Sequence, residues 1–158
     1  KGKIMNKIIP ILLLLASMIY AKSYDITLHI QDIPTNQDIA LSYKDISQKK
    51  FIKINSFKTK DENITFKLND NSKIGIYRIK SVIFNIEFIF DKEDISLDTT
   101  YLTATKNMRV LKSYQNKQFF KLINMYQNNE AKRISLIKLL NMYSIHDKFY
   151  GIVLDELK

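Results

Sequence analysis

The stretch VIFNIEFIF, residues 82–90, is the most apolar strand-like segment that follows the N-terminal leader. One set of alternate positions is entirely apolar and consists of Val82, Phe84, Ile86, Phe88 and Phe90. The other set holds Asn85 and Glu87 together with Ile83 and Ile89. A period of two predicts a β-strand, and apolar residues on both faces predict a central position in a sheet. We expect Phe84, Ile86 and Phe88 to point into the core.

Shorter segments of the same kind lie on both sides of this stretch. They are residues 24–30, 39–43, 51–57, 64–68 and 73–80 upstream, with residues 95–97 and 108–111 downstream. Polar turn clusters such as residues 32–36 separate them. About eight short strands at even spacing predict a mainly β protein, an antiparallel sandwich or a barrel-like sheet. The rhythm of strand, helix and strand that a parallel sheet requires is missing.

The period changes at Ser113, which is a suitable N-cap for a helix. Apolar residues then recur at helical spacing, first at Phe119, Ile123 and Tyr126, and later at Ile134, Ile137 and Leu140. Residues 113–158 are therefore predicted to form a C-terminal helical tail. We expect the first stripe to pack on the sheet. The second stripe is expected to be looser, bridging to a following module or pairing with a second copy.

The N-terminal 21 residues have the layout of a secretory signal peptide. Lys1, Lys3 and Lys7 precede an apolar run over residues 8–19, and Ala21 supplies a small residue for cleavage. As a helix this run reaches about 18 Å, which is short for a bilayer core. The expected organisation is a signal peptide at 1–21, an antiparallel β domain at 22–112 and the tail at 113–158. A periplasmic or secreted location follows, without a stable membrane span after cleavage.

Composition excludes several classes of function. The chain has 158 residues, the size of one domain, and no cysteine, so thiol catalysis, zinc–thiolate sites and internal disulfides are excluded. The formal net charge is +9. The lysines are spread along the chain without an arginine-rich stripe, which indicates a solvated surface and no nucleic-acid partner.

Few residues are candidates for chemistry. His29 lies on the outward face of the first strand and His146 lies in the tail, and neither has a nucleophile or an orienting carboxylate at motif spacing. Residues 91–94 and 61–62 are acidic but lack the glycine-assisted turn of a calcium loop, so they are predicted to be solvated turns. The sequon at residues 63–65 lies at a strand start. We expect no catalytic, cofactor-binding or metal-binding residues, and no enzyme activity of the chain itself.

The order of the segments resembles the domain of unknown function that precedes thioredoxin-like modules in bacterial envelope thiol–disulfide interchange proteins of the TlpA/ResA-like type. The resemblance runs from Tyr24 to Tyr126. It rests on YDITLHI at 24–30, IALSY at 39–43, NITFKL at 63–68, Gly-Ile-Tyr at 75–77, FIF at 88–90 followed by DISL at 94–97, NMRV at 107–110, and then Ser113, Asn116 and Phe119-Phe120. Lys112 stands where the family often has glycine. The Cys-x-x-Cys module of the family is absent. The redox chemistry of the family therefore cannot be assigned to any residue of this chain.

Two interpretations remain open at this point. The resemblance implies a non-catalytic accessory or scaffolding domain, with a following thioredoxin-like module or another protein as partner and a homodimer through the helical tail as a further option. The alternative is a stand-alone secreted binding protein that uses its sheet face or its helical tail.

Overall fold

The computed structural model describes residues 22–45, 47–128, 137 and 148–157. This part of the chain holds eight strands in two four-stranded sheets. The strands are β1 (Ser23–Gln31), β2 (Asp38–Asp45), β3 (Lys50–Lys58), β4 (Asn63–Asn69), β5 (Gly75–Lys80), β6 (Asn85–Phe90), β7 (Ile95–Thr100) and β8 (Arg109–Lys112). A 3₁₀ turn (Tyr101–Thr103) follows β7, and the helices are α1 (Tyr114–Asn128) and α2 (Lys148–Leu157). The predicted mainly β fold is confirmed, as a sandwich of two open sheets followed by helices.

Sheet A has the order β4-β1-β7-β8 and sheet B the order β3-β2-β5-β6. Neighbouring strands are antiparallel, with the exception of β1 and β7, which pair in parallel. The sequence-based expectation was antiparallel throughout. The difference arises because β7 returns to sheet A from the other layer and enters beside β1 in the same direction.

The main core lies between the two sheets and is built by alternate side chains of each strand. Ile26, Leu28 and Ile30 of β1 are fully buried there. Phe84, Ile86 and Phe88 also belong to this cluster, so their predicted inward orientation is confirmed. The ring of Tyr77 lies 5.8 Å from Phe88 and 5.7 Å from Phe90, measured between centroids. Each fully buried large apolar side chain contributes about 1.5–3 kcal/mol relative to exposure.

Two expectations for residues 82–90 are wrong. The strand begins at Asn85, and Val82 is 87% exposed in the turn before it. The alternation of inward and outward side chains along β5 stops at Ser81. The Ser81 hydroxyl accepts hydrogen bonds from the N–H groups of Ile83 and Phe84, each at 3.2 Å, and these bonds hold a turn before β6. β6 is also an edge strand and not a central one. Its second apolar face is covered by helices, which gives the same two-sided pattern as a sheet centre.

The helices pack on the outer face of sheet B. Ile76 and Ile89 point outward from β5 and β6 and form a second apolar cluster with Phe119 of α1 and Phe149 and Val153 of α2. Packing of the first stripe on the sheet is thus confirmed at Phe119. Ile137 is half-buried against the same cluster, whereas Ile134 and Leu140 lie outside the described residues. Among the residues that the structure describes, no helix combines the length and apolarity needed to cross a bilayer.

Candidate functional site

The outer face of sheet A brings together titratable residues that are far apart in sequence. The parallel register of β1 and β7 places His29 opposite Asp98, and the antiparallel register of β7 and β8 places Asp98 opposite Arg109. His29 Nδ1 lies 2.8 Å from Asp98 Oδ1, and Arg109 Nε donates to Asp98 Oδ2 at 2.8 Å. The Asp98 carboxylate therefore accepts hydrogen bonds from side chains on two different strands.

The second ring nitrogen of His29 faces another carboxylate. His29 Nε2 lies 3.5 Å from Glu62 Oε2, and Glu62 Oε1 accepts a 2.8 Å hydrogen bond from the backbone N–H of Asp32. A carboxylate is only an acceptor, so a ring protonated on both nitrogens can donate to both sides. The row Glu62–His29–Asp98–Arg109 thus joins a loop and three strands of sheet A. We call it the histidine row.

Asp98 is the most enclosed member of the histidine row. Its side chain is 13% exposed, compared with 38% for His29 and 75% for Arg109. The hydrogen bond with His29 lowers the pKa of Asp98 below its ordinary value, and the bond from Arg109 acts in the same direction. Burial opposes this shift and is outweighed. The carboxylate is consequently held ionised.

No partner of His29 lies at motif spacing in the sequence, but the fold brings two carboxylates to its ring. These partners, Glu62 and Asp98, are 33 and 69 residues from His29 in the sequence, so a search for motif spacing cannot reveal them. The chemistry of the row still differs from a base relay, because the nitrogen that would face a nucleophile faces the Glu62 carboxylate instead. Glu62, predicted to be merely solvated, is a member of the row. His146 lies outside the described residues.

A second charged row crosses the same face near the other end of the strands. Lys67 Nζ donates to Asp25 Oδ1 at 2.9 Å, the N–H of Asp25 donates to Asp94 Oδ1 at 3.0 Å, and Lys112 Nζ donates to Asp94 Oδ2 at 2.7 Å. We call this the lysine row. Between the two rows the outward positions carry Thr27, Thr65 and Ser96. The outer face of sheet A is therefore polar from strand to strand.

The carboxylates of the acidic turn at residues 91–94 bond to different partners. Glu93 bonds to the Ser113 hydroxyl, and Asp91 accepts from Gln115 Nε2 at 2.6 Å. These partners lie at the start of α1, where the helix dipole favours negative charge. No group of His, Asp and Glu side chains within the described ranges is arranged to hold a metal ion. The turn positions α1 on the sandwich.

The residues that carry the family resemblance have structural contacts. Asn116 is fully buried, its Oδ1 accepts from the N–H of Ile89 at 2.8 Å, and its Nδ2 donates to the carbonyl of Ile89 at 2.8 Å. Ser113 Oγ accepts from the N–H of Asn116 at 3.0 Å, which confirms the predicted N-cap. One asparagine thus ties the outer edge of β6 to α1.

The Gly-Ile-Tyr segment has a comparable role in sheet B. Gly75 has φ +150°, and a Cβ at this position would lie 3.2 Å from the Tyr43 ring, so a side chain would be both strained and crowded. The Tyr77 hydroxyl donates to the carbonyl of Lys73 at 2.7 Å. Burial raises the pKa of Tyr77 to about 12. This segment fixes the entry of β5 into the core.

A groove lies between β8 and α1. It has a volume of about 550 Å³ and is lined by Met108 and Val110 from one side and by Phe120 and Met125 from the other. Lys117 and Lys121 of α1 stand at its rim with Asn124. The groove therefore combines an apolar floor with two lysines at its margin.

Comparison of the chain with protein-family models, with curated proteins and with solved structures found no match.

Proposed function

We propose that this chain is a non-catalytic accessory domain of an exported thioredoxin-like thiol–disulfide interchange protein. In this role it positions or presents a redox module in the cell envelope and contributes no chemistry of its own. The partner is that thioredoxin-like module or another protein, with a second copy through the helical tail as a further option, and no cofactor or nucleic acid is required.

The bonding of Asn116 is the observation that carries this proposal. The resemblance rests on residues such as Gly75, Tyr77, Ser113 and Asn116, and their contacts hold β5, β6 and α1 together. Residues that make such contacts stabilise the fold and do not form a reaction centre. The proposal takes the likeness to the envelope domain as a likeness of scaffold and assigns the chemistry of the family to a module with cysteines, since this chain has no cysteine.

Capture of the native polypeptide tests this proposal. Antibodies raised against residues 22–112 are used to isolate the protein from the envelope fraction of its own cells, and its peptides are identified by mass spectrometry. We expect peptides of a Cys-x-x-Cys thioredoxin-like module, on the same polypeptide or bound to it in stoichiometric amount. Repeated recovery of the protein without such a module contradicts the accessory role.

Export is tested separately. Expressed from Met5 in a Gram-negative host, the protein is expected in the periplasm with Lys22 as its first residue, because the leader precedes a small residue at Ala21. Intact-mass measurement decides the point, and a mass that includes residues 5–21 contradicts cleavage.

The outer face of sheet A favours a second candidate, a stand-alone binding protein of the envelope. The two charged rows and the hydroxyl residues between them present fixed donors and acceptors, and α1 and α2 pack on the opposite sheet. Replacing Thr27 and Thr65 by Lys adds bulk and charge to this face without touching the core. A strain that produces this variant is compared with the parent strain. If it loses an envelope property of the parent while the thioredoxin-like module is still captured with the protein, the binding protein is favoured over the accessory domain.

A further inference from the structure

The free edge of β4 differs from the other three sheet edges of the sandwich. An open edge presents unpaired N–H and carbonyl groups, and natural proteins protect such edges with bulges, lysines, short strands or covering side chains. β3 pairs with β2 across a register shift, carries three lysines, and has its Ser56 N–H bonded to Asn55 Oδ1 at 2.8 Å. β6 is occupied at Ile89 by the side chain of Asn116, and β8 has four residues with a register shift against β7. Each of these three edges is therefore protected.

Within the described part of the chain, β4 has none of these protections. Its seven residues pair with β1 in one unbroken antiparallel register. The side chains alternate strictly, since Ile64, Phe66 and Leu68 are buried and the other four residues are exposed. Lys67 is the one charged residue of the strand, and its Nζ already donates to Asp25 on the outer face of sheet A. α1 and α2 pack on the other sheet.

The register with β1 determines which backbone groups of β4 face the free edge. In an antiparallel pair, directly opposite residues alternate between hydrogen-bonded and non-hydrogen-bonded pairs. The N–H of Ile30 donates to the carbonyl of Glu62 at 2.9 Å, one step beyond the first pair of β1 and β4. Residues 64, 66 and 68 therefore bond to β1. Residues 63, 65, 67 and 69 direct their N–H and carbonyl groups toward the free edge.

Local hydrogen bonds occupy both ends of this edge. At one end the N–H of Asn63 donates to Asp61 Oδ1 at 2.7 Å. At the other end the N–H of Asn69 donates to Ser72 Oγ at 3.0 Å, and the Asn69 carbonyl accepts from the Ser72 N–H at 2.9 Å. The two outward-facing residues between these ends have no hydrogen-bonding partner for their N–H and carbonyl groups among the described residues. The middle of the edge is therefore open.

We propose that two copies of this protein join through their β4 edges, in antiparallel orientation about a two-fold axis at Phe66. Thr65 of each copy then lies opposite Lys67 of the other. The two open N–H groups and two open carbonyls of each copy are matched, which gives four hydrogen bonds between the copies. Sheet A becomes one sheet of eight strands. This interface uses the β domain alone and does not depend on the proposed accessory role.

The edge selects a second copy in this register because it is complementary to itself, as a two-fold interface requires. An axis at Lys67 would set two like charges directly opposite each other, which is unfavourable. An axis at Thr65 would set Lys67 opposite Asn63, whose N–H is already bonded to Asp61. With the axis at Phe66, each lysine faces a threonine and every open group meets an open group.

The edge strand of sheet B lies on the same side of the sandwich. The ring of Phe57 on β3 is 5.0 Å from that of Phe66 on β4, measured between centroids. Ile52 and Ile54 of β3 are 42% and 49% exposed. The lysines at the two ends of β3 lie opposite aspartates of β2. A second copy at β4 therefore approaches exposed aliphatic side chains here, beside terminal lysines that have neighbours of opposite charge.

Charge substitutions at Thr65 test both the interface and its register. The exported protein is used, with its N-terminus verified by intact mass. Sedimentation equilibrium is measured up to about 1 mM protein, because a contact through one strand edge belongs to the weak, transient class of interfaces. We expect a monomer–dimer equilibrium. Thr65→Glu sets a carboxylate opposite Lys67 of the other copy and is expected to strengthen dimerisation about fivefold, whereas Thr65→Lys sets like charges together and is expected to weaken it about fivefold.

Thr27 provides the matched control. It lies directly opposite Thr65 on β1, one strand away from the edge. Thr27→Glu and Thr27→Lys change the net charge by the same amounts and are expected to leave the dimerisation constant within about twofold of the parent protein. Thermal unfolding verifies that all four variants are folded.

A protein that stays monomeric over the whole concentration range overturns the proposal. A dimer that both Thr65 variants leave unchanged also overturns it, because the copies then meet through another surface such as the helical tail. Weakening by both variants places Thr65 against itself and contradicts the axis at Phe66. These results do not bear on capture of a thioredoxin-like module, so the two proposals can fail independently.

Nitroxide labelling gives a second measurement, because the chain has no cysteine of its own. In the proposed dimer the two copies of residue 65 lie within about 10 Å of each other, from one strand spacing and an offset of two residues. A label on T65C is therefore expected to show dipolar broadening that disappears when excess unlabelled protein is added. A label on L102C, in the 3₁₀ turn after β7, is expected to show none. Broadening at 102 without broadening at 65 contradicts the β4 interface.

Discussion

The two outer faces of the sandwich arise from the same alternation of side chains, but one face is exposed to water and the other is covered by helices. On sheet A the outward positions are polar and form two charged rows, which need only water as a neighbour. On sheet B the outward positions include Ile76 and Ile89, which α1 and α2 cover. The difference shows that the side chains facing away from the core decide which sheet receives the helices. Substitutions on β6, between core and helices, test this comparison most severely.

Removal of the Phe88 ring is expected to have the largest effect. Phe88 is fully buried between the sheets, and Phe88→Ala should lower the free energy of unfolding by about 3–5 kcal/mol because it leaves a cavity as well as losing apolar burial. Equilibrium denaturation by urea measures the change. A midpoint that hardly moves would place this residue on the surface, in conflict with the register of β6.

The neighbouring residue reports on the other side of the same strand. Ile89 is fully buried under the helices, so Ile89→Ala is expected to cost about 2–3 kcal/mol. The matched change on the outer face of sheet A is Thr65→Ala, which is expected to cost less than about 0.5 kcal/mol because Thr65 is exposed. Similar costs at both positions, measured by thermal unfolding, would remove the distinction between the two faces.

Asn116 connects the helices to sheet B through the backbone. Asn116→Ala leaves the N–H and the carbonyl of Ile89 without their buried partner, at an expected cost of about 1–3 kcal/mol. Asn116→Asp is the informative companion, since the carboxylate keeps the acceptor for the N–H and loses the donor to the carbonyl. Hydrogen exchange of the Ile89 amide should accelerate more in the Ala variant, and equal protection in both would deny the role of this side chain.

The smallest expected effect concerns the histidine row. The pKa of Asp98 is lowered in the folded protein, so its ionised form stabilises the fold above the ordinary carboxyl range, and this stabilisation is lost as the pH falls through the folded value. Asp98→Asn is expected to cost about 1 kcal/mol at neutral pH and to flatten the loss of stability below about pH 4. Unfolding measured from pH 7 to pH 2 gives both quantities. A variant with the acid profile of the parent protein would show that Asp98 does not contribute to it.

The strands were predictable where one face is apolar and the other polar, as in β1 and β4. Phe84, Ile86 and Phe88 were placed correctly because a period of two leaves one choice of inward face. Val82 was not, since it continues the alternation although Ser81 has already turned the chain. The position of β6 was also missed, because burial beneath a helix and burial in a sheet centre give the same apolar pattern.

The histidine row could not be predicted from local sequence. Asp98 meets His29 through a parallel pairing between strands that are 69 positions apart, and Glu62 arrives from a loop of another hairpin. No spacing rule covers such a contact, because the order of strands in a sheet depends on the packing of the whole core. The sequence predicted a solvated turn at 91–94 and did not predict the contacts that Asp91 and Glu93 make with Gln115 and Ser113 at the start of α1.

The pairing of Asn116 with Ile89 also bears on how this protein resists aggregation. An exposed edge strand offers free N–H and carbonyl groups on which another chain can continue the sheet. At Ile89 those groups are already occupied by a side chain of α1. Pairing of another chain along β6 past Ile89 therefore requires α1 to detach, and conditions that loosen the helix are the ones under which we expect polymerisation along the whole edge to begin.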